Sequence, residues 1–266
     1  MATHDQPLLL LDSGIGGLSI YHSLRALLPT APIVYAADFA GFPYGTRSET
    51  EIAARVPAIL GRLVERYAPQ TVTIACNTAS TVALEHVRSA LSTPVVGTVP
   101  AIKPAALMTQ SKVIGVLGTQ ATIRQPYVDR LHDAHGPDTR LLRHGAPDLV
   151  DEAEAKLRGE PVDMQVLEAA LNGLRQQPGG NQLDIIVLAC THFPLLRTEL
   201  TSLLPQGIVL IDGADGIARR IAYLSGEREW PQESKGNIFV TTAESDALIP
   251  YHSQLSQMGF AAFETL

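Results

Sequence analysis

The sequence predicts an α/β protein built from two similar parallel-sheet domains, with the active site expected in the cleft between them. Three observations carry this reading. Short apolar runs alternate with helix-period stretches from end to end, the pattern of parallel strands covered on both faces by helices. A weak internal repeat relates the two halves. Gln70-Thr-Val-Thr-Ile-Ala-Cys76-Asn77-Thr78 is similar to Asp184-Ile-Ile-Val-Leu-Ala-Cys190-Thr191-His192, each a strand that ends in Ala-Cys and polar residues. Upstream of each lies another strand that runs into a Gly/Ser/Thr turn, Leu11-Asp12-Ser13-Gly14 in one half and Leu117-Gly118-Thr119 in the other. Ligands of such sheets bind beyond the carboxyl ends of the strands, so these turns are expected to converge on one site.

The elements follow in order. Residues 8–11 read as a strand, and residues 17–28 as a helix with Leu18, Tyr21, Leu24 and Leu28 on one face. A strand is expected at 33–37. Ser48-x-x-Glu51 is a capping box that opens a helix toward Tyr67, and Pro57 inside it should kink or split that helix. A strand at 71–75, a helix at 79–91 and a short strand at 95–97 complete the first half. In the second half, β-prone runs at 113–117, 140–143, 185–189 and 208–211 are separated by helical stretches. A helix near 213–224 and a strand at 238–241 follow, and Gln176–Asn181 reads as a Pro/Gly loop.

Composition removes several classes of function. The chain has 266 residues, 45% of them apolar and 18% charged, which is a globular composition. Its net charge of −7 comes with no basic run, so neither nucleic acid nor an anionic membrane surface is an expected partner. No apolar run is long enough to span a membrane, and the first five residues lack the pattern of a secretory signal, so a cytoplasmic location is expected. Two cysteines exclude a disulfide scaffold, and no cluster of ligands accompanies them to suggest zinc. None of the four lysines sits in a pyridoxal-phosphate context, and neither a P-loop nor a Gly-x-Ser-x-Gly elbow occurs.

Cys76 and Cys190 are therefore the residues to explain. A free cysteine usually serves as a small core hydrophobe. Here both fall where a parallel strand ends, both are followed by hydrogen-bonding side chains, and both precede an expected helix whose N-terminus would favour a thiolate. His192, two residues beyond Cys190, titrates near neutrality and suits a proton partner for a thiol; a helix cap or core histidine is the plainer alternative. Asp12-Ser13-Gly14-Ile15-Gly16-Gly17-Leu18-Ser19 nearly spells a dinucleotide fingerprint, with Asp38 at a plausible distance, but Ser19 stands at its third glycine position. The same loop also reads as an anion cradle or as a plain strand-to-helix turn. Phe42-Pro43-Tyr44-Gly45 follows the second strand and is a candidate wall of the site.

Together, Asp12–Gly17, Phe42–Gly45, Ala75-Cys76-Asn77-Thr78-Ala79 and Cys190-Thr191-His192-Phe193-Pro194-Leu195-Leu196 resemble the cofactor-independent glutamate racemases of the aspartate/glutamate racemase family. The segments Gly115–Ile123 and Ile211–Ala214 are also similar to that family. Departures from its common pattern include Phe39, Gly41, Ala189 and Phe193.

The resemblance implies a domain formed by residues 1–98 and 208–266 and a second formed by 99–207. It also implies interconversion of L- and D-glutamate without a cofactor, in supply of D-glutamate for peptidoglycan. Cys76 would act on D-glutamate and Cys190 on L-glutamate, assisted by Asp12 and His192 respectively. Ser13, Pro43, Tyr44, Gly45, Asn77, Thr78 and Thr191 would bind substrate together with Asp12 and His192, with Thr119 or Thr122 helping. Glu154 aligns with a glutamate that supports the histidine. A homodimer is left open. The rival readings are an aspartate racemase, a nicotinamide-dependent oxidoreductase that uses Asp38, and a binding protein with structural cysteines.

Overall fold

A computed structural model describes residues 6–226, 229–234 and 236–266; the first five residues and Lys235, both considered above, lie outside the described residues. In chain order the elements are β1 (Leu8–Asp12), α1 (Leu18–Leu27), β2 (Ile33–Ala37), α2 (Glu49–Tyr67), β3 (Thr71–Ile74), α3 (Asn77–Ala90), β4 (Val95–Gly97), α4 (Ile102–Met108), β5 (Val113–Gly118), α5 (Gln120–Ile123), α6 (Pro126–His135), β6 (Arg140–Gly145), α7 (Asp148–Leu157), α8 (Met164–Arg175), β7 (Ile185–Leu188), α9 (Arg197–Ser202), β8 (Val209–Ile211), α10 (Ala214–Ser225), β9 (Asn237–Thr241), α11 (His252–Gln257) and β10 (Phe260–Thr265). No helix among the described residues is long and apolar enough to cross a membrane.

The chain divides into two compact units, Met1–Thr98 with Ala214–Leu266, and Val99–Gly213. The first holds a six-stranded sheet of order β10-β9-β2-β1-β3-β4 and the second a four-stranded sheet of order β6-β5-β7-β8. Every recorded strand pairing is parallel. The four strands β2-β1-β3-β4 have the same order of connection as β6-β5-β7-β8, so the repeat read from sequence is a repeat of topology. Cys76 follows β3 and Cys190 follows β7, at matching positions.

Burial on both faces explains the near-continuous apolar strands. All five residues of β1 and all four of β3 and of β7 are buried. In the first unit, Ile52, Val56, Ile59, Leu60 and Leu63 of α2 meet Leu9, Leu11, Val72 and Ile74 in one core.

Three expectations need correction. Pro57 does not split α2, which runs over 19 residues behind an N-cap at Ser48 that accepts from Glu51 N. Proline deletes one backbone hydrogen bond, whereas the buried face of α2 is held along its whole length. The boundary of the units falls after Gly213 rather than at 207/208, because β8 pairs with β7 and so belongs to the second sheet. The strand β10 was not expected: Phe260–Thr265 is an edge strand with only one fully buried residue, so its apolar pattern is faint.

The turn after β1 packs tightly on the strand that leads to Cys76. A Cβ on Gly17 would lie 2.8 Å from the Ala75 methyl and 3.0 Å from the Tyr35 hydroxyl. Gly17→Ala is therefore expected to destabilise the protein by about 1–3 kcal/mol, read as a lower midpoint in urea. An unchanged midpoint would mean that this close approach is not required.

Candidate active site

In the first unit, three turns gather at the carboxyl end of the sheet. Asp12, fully buried at the end of β1, accepts from Ser13 N (2.5 Å) and Ser13 Oγ (3.2 Å). The Tyr35 hydroxyl donates to Gly14 O at 2.8 Å and pins the glycine-rich turn. Asp38 N donates to Asp12 O at 2.8 Å, which ties the turn after β2 to the turn after β1.

The Asp38 side chain is also fully buried and accepts four hydrogen bonds, from Tyr44 OH, Arg55 Nε, Arg55 Nη2 and Thr242 Oγ1. That saturates a carboxylate, so Asp38 has no capacity left for a ribose, and the oxidoreductase reading loses its acid.

Tyr44 is buried with its hydroxyl turned onto Asp38, and burial together with that negative charge pushes its pKa up. The Tyr44 side chain is thus committed inward. What the turn has to offer is backbone: the N–H groups of Tyr44 and Gly45 find no acceptor among the described residues.

Cys76 is buried and stands as the N-cap of α3, so its thiol sits at the positive end of a 14-residue helix. Beside it, Asn77 Oδ1 is buried and has no hydrogen-bond partner among the described residues. Ser80 plays a structural part, donating to Ile74 O and accepting from Thr98 N.

In the second unit, Cys190 is buried at the end of β7. The helix expected directly after it is a single 3-10 turn, Phe193–Leu196, with Pro194 in its first positions, so the helix-dipole argument does not extend to this thiol. An imidazole takes its place. His192 Nδ1 lies 4.0 Å from Cys190 Sγ, and His192 Nε2 lies 2.9 Å from Glu154 Oε1 on α7.

Both partners of the His192–Glu154 pair are 3% exposed. Burial alone would lower the pKa of His192, but the hydrogen bonds with Cys190 and Glu154, and their charges, outweigh it and raise the pKa well above the usual range. Lys156, also on α7, donates to Leu195 O at 2.9 Å and pairs with Glu199, so the same helix holds the turn that carries His192. Thr119 caps α5 by accepting from Thr122 N and donates to Thr122 Oγ1. Thr78 and Thr191 are buried beside the two cysteines.

Sequence reasoning missed Arg55, Thr242 and Lys156. The first two reach Asp38 from 17 and 204 residues away, and no local pattern announces such contacts. Among the described residues, no group of three or more His, Cys, Asp or Glu side chains is arranged to hold a metal ion.

Two parallel α/β sheets with a cysteine at the matching strand end define the class, and comparison with known proteins agrees. The Asp/Glu/Hydantoin racemase family description matches residues 16–221, and the chain belongs to that family. It is 58% identical over 262 residues to the glutamate racemase of Sphingopyxis alaskensis, covering 98% of each chain. It is 44% identical to that of Klebsiella pneumoniae, covering 97% of this chain and 91% of the relative. The crystal structure of Escherichia coli glutamate racemase in complex with L-glutamate and activator UDP-MurNAc-ala matches with a TM-score of 0.89 at 40% identity, covering 98% of each chain.

The buried His192–Glu154 pair has a consequence for stability. The folded-state pKa of His192 lies above the unfolded value near ~6.5. Its contribution is therefore complete below about pH 6.5 and is lost as pH rises through the raised value. The melting temperatures of the wild type and Glu154→Gln are expected to differ most at mildly acidic pH and to converge as the solution becomes alkaline. A difference independent of pH would show that the pair is not ionic.

Proposed function

We propose that the protein interconverts L- and D-glutamate by a two-thiol mechanism, with Cys76 and Cys190 acting on opposite faces of one α-carbon. The observation that carries this reading is the equivalence of the two cysteines: each is buried, and each ends the corresponding strand of a four-strand unit of the same topology. The activity itself follows from the close, full-length relationship to glutamate racemases. As in that family, the product would supply D-glutamate for peptidoglycan, in the cytoplasm.

The α-proton of an amino acid is weakly acidic, and the replacement proton must reach the other face. One base on each side does this with little motion. With L-glutamate, the Cys190 thiolate takes the α-proton and becomes a thiol, while the Cys76 thiol gives its proton to the other face and becomes a thiolate. D-glutamate uses the same groups in reverse, and proton exchange with solvent resets the pair. His192, its pKa raised by its hydrogen bonds to Cys190 and Glu154, is placed to donate toward the Cys190 sulfur.

Asp12 would do the corresponding work near Cys76, whose thiolate is also favoured by the α3 N-terminus. The unpartnered Asn77 Oδ1 suits the substrate ammonium. The N–H groups of Tyr44 and Gly45, with Thr78 and Thr191 hydroxyls, suit its carboxylates, and Ser13 would join them by turning its hydroxyl from Asp12. Preorganised donors of this kind stabilise the charge that develops as the proton leaves.

Cys76→Ala and Cys190→Ala are each expected to lower racemisation by about 10²–10⁴-fold in both directions, because the base of one direction is the acid of the other. Circular dichroism on pure L- and D-glutamate reads this directly. Near wild-type turnover in either folded variant would remove the two-thiol assignment. Substrate choice is a separate matter. A site whose donors pair with a distal carboxylate discriminates against a ligand that leaves them unpaired, by on the order of 10⁴-fold. Glutamate should therefore be strongly preferred to aspartate in kcat/KM, and comparable values would favour the aspartate racemase reading.

A further inference from the structure

The Asp38 network has no part in the proton transfers, yet its buried carboxylate accepts four hydrogen bonds. Its members come from three stretches of chain: Asp38 and Tyr44 from the turn after β2, Arg55 from α2, and Thr242 from just beyond β9. Thr242 lies outside the residues that match the family description.

Arg55 holds both carboxylate oxygens, at 2.5 and 2.6 Å. Thr242 donates to Oδ1 at 2.5 Å and accepts from Ala40 N at 3.1 Å, so it bonds both the carboxylate and the backbone of the turn. The Tyr44 hydroxyl takes Oδ2 at 2.5 Å. Arg47 Nε closes the turn onto Gly41 O at 3.1 Å. The packing around the carboxylate admits no side chain at residue 41, where a Cβ would collide with Asp38 Oδ2 and Arg55 Nε. A saturated buried carboxylate of this kind fixes its donors in one geometry.

We infer that Arg55 and Thr242 are positioning residues for substrate binding: they clamp Asp38, which holds Tyr44 and so fixes the backbone N–H groups of Tyr44 and Gly45 for a substrate carboxylate. This inference rests on the substrate reading given above. A clamp of this kind acts on binding of substrate and transition state alike, which raises KM and spares kcat when it is lost.

The test compares Arg55→Met, Thr242→Val and Arg55→Lys with the wild type, measuring KM and kcat for glutamate in both directions alongside the melting temperature. Arg55→Met is expected to raise KM about tenfold with kcat within about threefold of wild type. Thr242→Val should raise KM about threefold. The double variant should fall short of the product of the two, since both act through one carboxylate. Arg55→Lys keeps the charge but loses the two-atom grip, so its KM should lie between the two.

The Arg55 side chain is 32% exposed, which favours a folded Arg55→Met protein; if that variant does not fold, Thr242→Val and Tyr44→Phe decide. Wild-type KM in the folded variants, or a loss of kcat at unchanged KM, overturns the clamp. A wild-type protein that leaves glutamate unracemised would instead overturn the parent reading, so the two failures are distinct.

Discussion

The parallel βαβ connection is the constraint on which the rest depends. Each strand of each sheet enters from the same end, and each connection returns across a face. Every turn that leaves a strand therefore opens on one edge of its sheet. In the first unit this gathers Asp12 at the end of β1, Asp38 and Tyr44 after β2, and Cys76 after β3. In the second it gathers Thr119 after β5 and Cys190 after β7. The chemistry-bearing residues are scattered in sequence, and the sheet topology alone is enough to collect them.

Burying so many polar groups at that edge would be costly if they were left unpaired. The protein meets this in three ways. Asp12 turns onto the N–H and hydroxyl of the next residue. Asp38 takes a guanidinium and two hydroxyls. Glu154 takes an imidazole whose other nitrogen faces a sulfur. The first two arrangements hold backbone in place, and only the third sets an imidazole, its pKa raised by its hydrogen bonds to Cys190 and Glu154, beside a thiol. The cysteines at the equivalent strand ends of the two sheets thus have different supporting groups, a helix N-terminus beside Cys76 and an imidazole beside Cys190.

The sequence made the strands, the repeat and the cysteines legible because each is a local signal. An apolar run bounded by turn residues needs no partner to be recognised, and Ala75-Cys76 and Ala189-Cys190 repeat one such signal. Ser48 and Glu51 announced the start of α2 for the same reason. Position-specific side-chain roles were much less legible. No local pattern announced that the Tyr44 hydroxyl is bound to Asp38, six residues away and on the other side of a turn. Asp38 itself fitted a ribose-binding acid in a spacing argument, since spacing does not register an arginine 17 residues further on. The strand β10 was missed because an edge strand carries little of the buried alternation that sequence patterns detect.

These misses share a cause, and it bears on how a site of this family keeps its shape. Several of the proposed site residues, among them Ser13, Tyr44, Gly45 and His192, lie outside the strands, where the sheet ladder constrains them little. Their geometry is supplied from elements remote in sequence: Tyr35 on the glycine turn, α7 on the turn of His192, and α2 with the segment after β9 on the turn of Tyr44. The C-terminal return of the chain to the first sheet is therefore more than an edge extension. By adding β9 next to β2, it brings Thr242 to the carboxylate that the turn after β2 must bury. A precise site needs such support to hold its donors still. In this protein, part of that support comes from Thr242, beyond the residues 16–221 that match the family description.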